Sequence, residues 1–450
     1  MTSLVFTAAI TALPASVLPA HGVGSRQDLP LPFTAVLIGA AAALLVSFVA
    51  LGFLWPEPAL RADAGRPLPA RLSRALSSPV LKTVLVLTSL LLTAWTAMAL
   101  IFGVDDANNP VPYVVYVWLW VGLAALSLVF GPVWAWLNPV RLLHEGLTRL
   151  TRLDPDASMT SRSPGYWPAA LGLFAFTWLE LIAPDRSTLL VLRVAIGLFV
   201  VIDLLGALIS GRGWFSRADP FEVWSRLYGS LSPLARRPDR VWVVRTPLHG
   251  ANAVSVDKGL LATASVMLGS TAYDGFSSEP RWYTFVQSSE LPSELLMTAG
   301  LLGMCLIVAL SLHLAAAISA RLAGVPIRGL AAQFAPSLLP IAAGYVVAHY
   351  WSLLIFEGQN TLIRLSDPLG IGANWLGTAG LTPNADLLQP TLVATIQVVA
   401  IVTGHIMGVV LAHERAVTLF ERRVAVIGQV PLLVLMVGYT CGGLLLLFSS

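Results

Sequence analysis

Nine ionisable side chains lie within, or at the ends of, long apolar stretches: Glu180, Arg193, Asp203, Asp274, His313, His349, Glu357, His405 and His413. Such groups are expensive to place in hydrocarbon, so each is a candidate for function. The stretch "VTGHIMGVVLAHERA", Val402 to Ala416, holds two of them. A spacing of eight residues puts His405 and His413 about 12 Å apart along a helix and about 80° apart around it. They therefore read as two places, with His413, beside Glu414 and Arg415, a wet boundary residue.

Depth sorts the other histidines. His313 precedes Arg321 by eight residues, and His405 precedes His413 by the same number. Both then sit about 12 Å from the inner end of their helices. Two imidazoles at matched depth could bind a haem iron or a metal. The competing expectation is that each bonds to a carbonyl or hydroxyl of a neighbouring helix. His349 lies higher, about 20 Å from the same boundary. It keeps company with Asp274 in "GSTAYDGF" and Glu357 in "AHYWSLLIFEGQN". His349 and His21 are the candidate metal ligands, with Asp274 and Glu357 as catalytic carboxylates and further ligands. The metal would be copper, which favours nitrogen ligation, or zinc, and its bound water would be the nucleophile. The competing expectation is a solvated vestibule. The loop "DPLGIGANWLGT" reads as a lid over a buried Trp375. Arg193 and Asp203 are ten residues apart on one helix and need partners elsewhere, Glu180 being the expected one for Arg193.

These residues must be positioned by helices. Only 11% of the 450 residues are charged, 56% are hydrophobic, and mean hydropathy is +0.77. A soluble domain carries about 25% charged residues. The expected class is all-α, a polytopic membrane protein. Ten segments can cross: about 33–55, 81–103, 112–134, 167–183, 188–210, 258–274, 294–320, 335–356, 391–413 and 425–448. The loops 56–82, 138–165, 211–258, 321–334 and 412–424 hold 22 of the 27 basic residues, which makes them cytoplasmic. The short segment 258–274 could instead re-enter, and Gly269 to Asp274 reads as a break in it. Two cytoplasmic loops begin alike, "WLNPVRLLHEGLTRL" and "RADPFEVWSRLYGSL". Asn138-Pro139 and Asp219-Pro220 suit helix starts, and the apolar spacing predicts two amphipathic helices at the cytoplasmic interface.

Residues 1–20 read as a signal peptide ending at Ala20, whose cleavage would make His21 the N-terminus. Residues 21–257 and 258–450 then form two helical halves of five crossings each, the second inverted relative to the first, an arrangement many transporters use. The net charge of +3 calls for no nucleic-acid partner. The expected partners are the bilayer of the inner (plasma) membrane and a small-molecule substrate. No phosphate loop, Cys-x-x-Cys, His-Glu-x-x-His or Gly-x-Ser-x-Gly is present, which argues against an ATP-driven pump and a standard serine hydrolase.

Several stretches together resemble one family: "AHGVGSRQDLPLP", "VSFVALGFLWP", "LNPVR", "ADPFEVWSRL", "LGSTAYDGF" and "GHIMGVVLAHERA". The resemblance, from about residue 20 to 420, is to bacterial polytopic membrane proteins commonly labelled fenitrothion hydrolase. It implies hydrolysis of an organophosphate triester and fixes no catalytic residue. The alternatives are a transporter or metal-handling protein and a b-type haem carrier using His313 and His405.

Overall fold

The computed structural model describes residues 28–159, 165–237 and 239–448. The expected signal peptide and His21 lie outside the described residues. Among the described residues the regular structure is almost all helix, with only three short strands. Its principal helices are α1 (Phe33–Leu54), α2 (Pro79–Phe102), α3 (Val111–Phe130), α4 (Pro139–Thr151), α5 (Trp167–Leu181), α6 (Leu189–Ser210), α7 (Pro220–Gly229), α8 (Leu260–Ser277), α9 (Ser293–Ala323), α10 (Leu338–Arg364), α11 (Pro390–Leu419) and α12 (Val430–Leu447).

Among the described residues eight helical runs are long and apolar enough to cross a membrane, built on α1, α2, α3, α6, α9, α10, α11 and α12. The two other expected crossings, α5 and α8, form as helices but fall short in length or apolarity. The reason for α8 is its place. It packs against α5, α9 and α10 and is buried along most of its length. A helix enclosed by protein needs no apolar face for lipid, so Ser265, Ser270 and Thr271 are accommodated. It also runs unbroken through Gly269 to Ser277, which corrects the expected break. Gly269 is there for close packing, since a methyl group on it would stand 2.6 Å from Cys305 Cα of α9.

Burial separates a centre from a rim. The apolar window of the run ending in α10 is 78% buried, whereas that of α1 is 17% buried. The exposed leucines, valines and phenylalanines of α1, α2 and α6 suit a bilayer environment. In α3, residues Val114–Gly122 form a π-helix, a wider turn frequent at functional sites.

α10 and α11 cross backbone to backbone. A methyl group on Gly404 would stand 2.5 Å from the Pro340 carbonyl oxygen and 3.1 Å from Gly344 Cα. Gly408, one turn on, completes a small-xxx-small stripe that lets two helices approach closely. Gly404→Val is expected to force the pair apart and lower stability by about 2–3 kcal/mol, read by thermal denaturation in detergent.

The arginine-rich loops meet at one end. Residues of 56–82 and 211–258 share a small antiparallel sheet of order β1-β3-β2, with β1 (Arg66–Pro67), β2 (Leu234–Arg236) and β3 (Trp242–Val244). Arg422 pairs with Glu57 at 3.5 Å, and Arg212 pairs with Asp156.

The two look-alike loops are joined cap to cap. Asn138 caps α4 by accepting from the Val140 and Arg141 amides, and Asp219 caps α7 by accepting from Phe221 and Glu222. Asn138 Nδ2 then donates to Asp219 Oδ2 at 2.6 Å. α7 is not a surface helix, however. Nearly all of it is buried, and Trp224 stacks on Trp120 of the π-helix at 3.8 Å. Its polar residues have partners inside: Glu222 accepts from Arg141 at 2.6 Å, and Ser225 meets Ser127 at 2.8 Å.

Burial, and then the neighbouring Asp203, raises Asp219 well above the ordinary carboxylate range. The folded chain thus keeps a proton there at a pH where the unfolded chain has released it. Folding stability contributed by this group falls as pH rises above about 4. Asp219→Asn keeps a capping oxygen and removes the titration. The variant's melting temperature is expected to fall less than wild type's as pH rises, checked by melting curves across the neutral range.

Candidate functional site

Asp274 sits in the last turn of α8, and α10 brings Tyr345, His349 and Tyr350 against it. His349 Nε2 lies 3.0 Å from Asp274 Oδ2, and Tyr350 donates to the same oxygen at 2.8 Å. An imidazole nitrogen and a phenol O–H thus converge on one carboxyl oxygen. Tyr345 precedes His349 by one helical turn, and its ring stacks near the imidazole at 5.9 Å. Tyr350 meets that imidazole edge-on at 4.7 Å. Asp274, His349 and Tyr350 are 5%, 3% and 2% exposed.

Two more elements close the centre. Glu180, in the last turn of α5, is buried and lies in the neighbourhood of Asp274 and Tyr350. Trp120, on the π-helix, approaches Tyr350 and rests on Trp224. Tyr116 of the same π-helix feels Glu180 and donates to the Arg186 carbonyl at 2.8 Å. Four helices thus supply carboxyl, imidazole, phenol and indole groups to one buried polar region. Carboxyl and imidazole groups can exchange protons, and the phenol and indole can donate hydrogen bonds to them.

The expected site residues are therefore only partly brought together. Asp274 and His349 meet. Glu357 lies eight residues beyond His349, about 12 Å along α10. It accepts from Asn360 at 3.0 Å, while Arg364 reaches Asn360 and lies over the Tyr113 ring at 4.4 Å. His313 is exposed on α9 and bonds its own helix at the Ala309 carbonyl, 2.9 Å away. His405 is buried on α11 and does the same with Ile401 at 2.8 Å. α12 packs against both α9 and α11, and no described contact joins the two histidines. Their bonds run within their own helices, rather than to neighbouring ones. Among the described residues no group of three His, Cys, Asp or Glu side chains could hold a metal ion.

Other expectations are also corrected. Arg193 does not pair with Glu180. It donates to the Leu100 and Ile101 carbonyls at the end of α2, at 2.8 and 3.3 Å. Asp203 accepts from Trp214 at 2.8 Å. Trp375 is 49% exposed, with its ring edge-on to Trp95 at 5.6 Å. His413 is 1% exposed, with its two ring nitrogens against the Trp55 carbonyl and Gln429. Tyr350 and Trp120 were missed because a search for ionisable groups in apolar segments passes over phenol and indole. The signal was present in "GYVVAHYW", where tyrosines flank His349 at one residue and at one turn.

Comparison with known protein families, curated proteins and solved structures finds no match, so function has to be read from this geometry.

Proposed function

We propose that the chain is a ten-crossing transport protein of the inner membrane that translocates protons through the Asp274–His349–Tyr350 centre. The convergence of an imidazole and a phenol on one buried carboxylate oxygen carries this reading. Intramembrane Asp, Glu and His groups of this kind mark proton relays. The ten-crossing count is supported by the contacts between loops. Arg415 Nη2 donates to the Asn252 carbonyl at 2.8 Å, so residues 252 and 415 share a side. An even number of crossings must then separate them, as it does when α8, α9, α10 and α11 all cross. The test is proton uptake by vesicles containing the purified protein under an imposed pH gradient. Uptake no faster than in empty vesicles would overturn the reading.

The Asp274–His349 bond favours one second reading, a membrane-embedded hydrolase. There His349 Nδ1 would take a proton from water attacking a phosphotriester. The resemblance noted in the sequence points the same way. Release of nitrophenol from a nitrophenyl phosphotriester, lost in His349→Ala, would establish it. Elemental analysis of the same two proteins decides whether a metal takes part.

A further inference from the structure

Segments 61–82 and 234–244 hold eight basic residues against two acidic ones, Asp63 and Asp239. Arg237 takes Asp239 at 2.6 Å. Arg66, Arg71, Arg74, Arg236 and Arg240 are exposed, and among the described residues none of them forms an ion pair. The small sheet gathers them. Arg66 stands opposite Val244, and Arg236 opposite Trp242. Residues 242 and 244 of β3 point to one face of the sheet, so Arg66 and Arg236 share that face. Trp242 then ties the sheet to the short helix Ala70–Leu76. Its carbonyl accepts from the Leu68 amide at 2.9 Å, and its indole donates to Ser77 Oγ at 3.0 Å. The Arg236 guanidinium lies 5.9 Å from the Trp242 ring, and its Nε donates to the Arg240 carbonyl at 2.9 Å. Arg74 lies one turn before Ser77, and Arg71 one turn before Arg74.

The patch also has a definite height. Only Ser77 and Ser78 separate the short helix from α2, whose exposed row begins with Val80, Val84 and Leu87. That row suits lipid tails. Arg74 precedes Val80 by six residues, about 10 Å at the helical rise. The polar layer beyond the hydrocarbon is about 5–8 Å deep on each side, within reach of a long arginine side chain. Leu72 and Val244, each about half exposed, stand among the arginines.

We propose that this face binds the headgroup of an anionic phospholipid in the leaflet at the arginine-rich end. The inference is independent of the proton-translocation reading. Like charges gathered on one surface repel, and an anion between them relieves the repulsion. Guanidinium groups match phosphate oxygens in pairs, and a basic cluster next to a crossing helix favours anionic lipid. A lipid fits better than an acidic protein or a free anion because the cations run on directly into the lipid-facing row of α2. The headgroup meets the arginines while its acyl chains lie along Val80, Val84 and Leu87.

Native mass spectrometry of the full chain in detergent tests this, with dioleoyl-phosphatidylglycerol and dioleoyl-phosphatidylcholine as probes. Phosphatidylglycerol is expected to bind at least about tenfold more tightly. Arg71→Gln/Arg74→Gln/Arg236→Gln should erase that preference, at about fivefold for each cation removed. The comparison variant is Arg149→Gln/Arg212→Gln/Arg422→Gln, which changes net charge equally but removes arginines that already have acidic partners. It should keep the preference. Equal binding of the two lipids by wild type, a preference that survives in the first variant, or an equal loss in the second overturns the proposal. Displacement of the bound phosphatidylglycerol by inorganic phosphate at equal concentration also overturns it, since the site would then be one for free phosphate. If the first variant fails to fold, Arg71→Gln/Arg74→Gln, confined to the exposed short helix, decides by the same comparison.

Discussion

Asp274→Asn is expected to reduce protein-mediated proton uptake to the level of empty vesicles, a loss of at least about 100-fold. The substitution changes shape very little. It removes the charge on which His349 and Tyr350 converge and places an amide, which cannot exchange protons, at the crossing point. Hydrogen bonds to a charged acceptor contribute about 1.5–3 kcal/mol each, so stability should fall by about 3 kcal/mol. His349→Gln removes the other partner of the same bond, so the effects should not add. The double variant is expected to be no worse than the poorer single, with a coupling of about 1–3 kcal/mol in the stability cycle. Full additivity would show that Asp274 and His349 act separately. Under the hydrolase reading, Asp274→Asn instead abolishes nitrophenol release, so the two assays on one variant separate the readings.

The sequence offered an expected depth for each histidine, and it gave no azimuth. Counting residues from basic loops gave His313, His349 and His405 expected depths. It could not say which way each points. On α9 the buried positions are Leu301, Cys305, Val308, Leu312, Ala315, Ala316, Ser319 and Ala320. His313 falls one residue, about 100°, beyond Leu312 and is turned away from that seam. In a soluble helix an apolar stripe would have revealed this. Here the face toward lipid is as apolar as the face toward protein, and the periodicity is lost. Asp274 and His349 were found because ionisable groups stand out against any apolar background. Their pairing was invisible because it depends on the rotation of α8 against α10. The reverse error occurred at α7. Its clear amphipathic pattern suggested an interface, yet Glu222 and Ser225 find partners within the protein. An amphipathic pattern shows that a helix has a polar face, and only tertiary contacts show whether water or protein meets it.

Glu414→Ala is expected to give the opposite result from Asp274→Asn: a large loss of stability with the rate per folded molecule preserved. Glu414 is 1% exposed, as enclosed as Asp274. Three donors meet it: Trp55 Nε1 at 3.0 Å, the Ala59 amide at 3.1 Å and the Leu60 amide at 2.9 Å. The adjoining His413 Nε2 lies 2.8 Å from the Trp55 carbonyl, and Asn252 Nδ2 donates to the Leu60 carbonyl at 3.2 Å. The segment after α1, the end of α11 and residue 252 are thereby tied into one knot. Alanine leaves three donors without an acceptor, each costing about 1–3 kcal/mol. The donors are only partly buried, and water can recover some of that loss. A net cost of about 3–5 kcal/mol is expected, in line with removal of one partner from a buried ionic site. Thermal denaturation in detergent reads it as a fall of several degrees. A melting temperature unchanged in Glu414→Ala would show that the knot adds little to stability. A variant that melts early yet transports at the wild-type rate while folded would establish the contrast. Glu414 and Asp274 are equally enclosed, and what separates them is their partners: backbone amides and an indole fix Glu414 in the fold, whereas Asp274 meets an imidazole and a phenol.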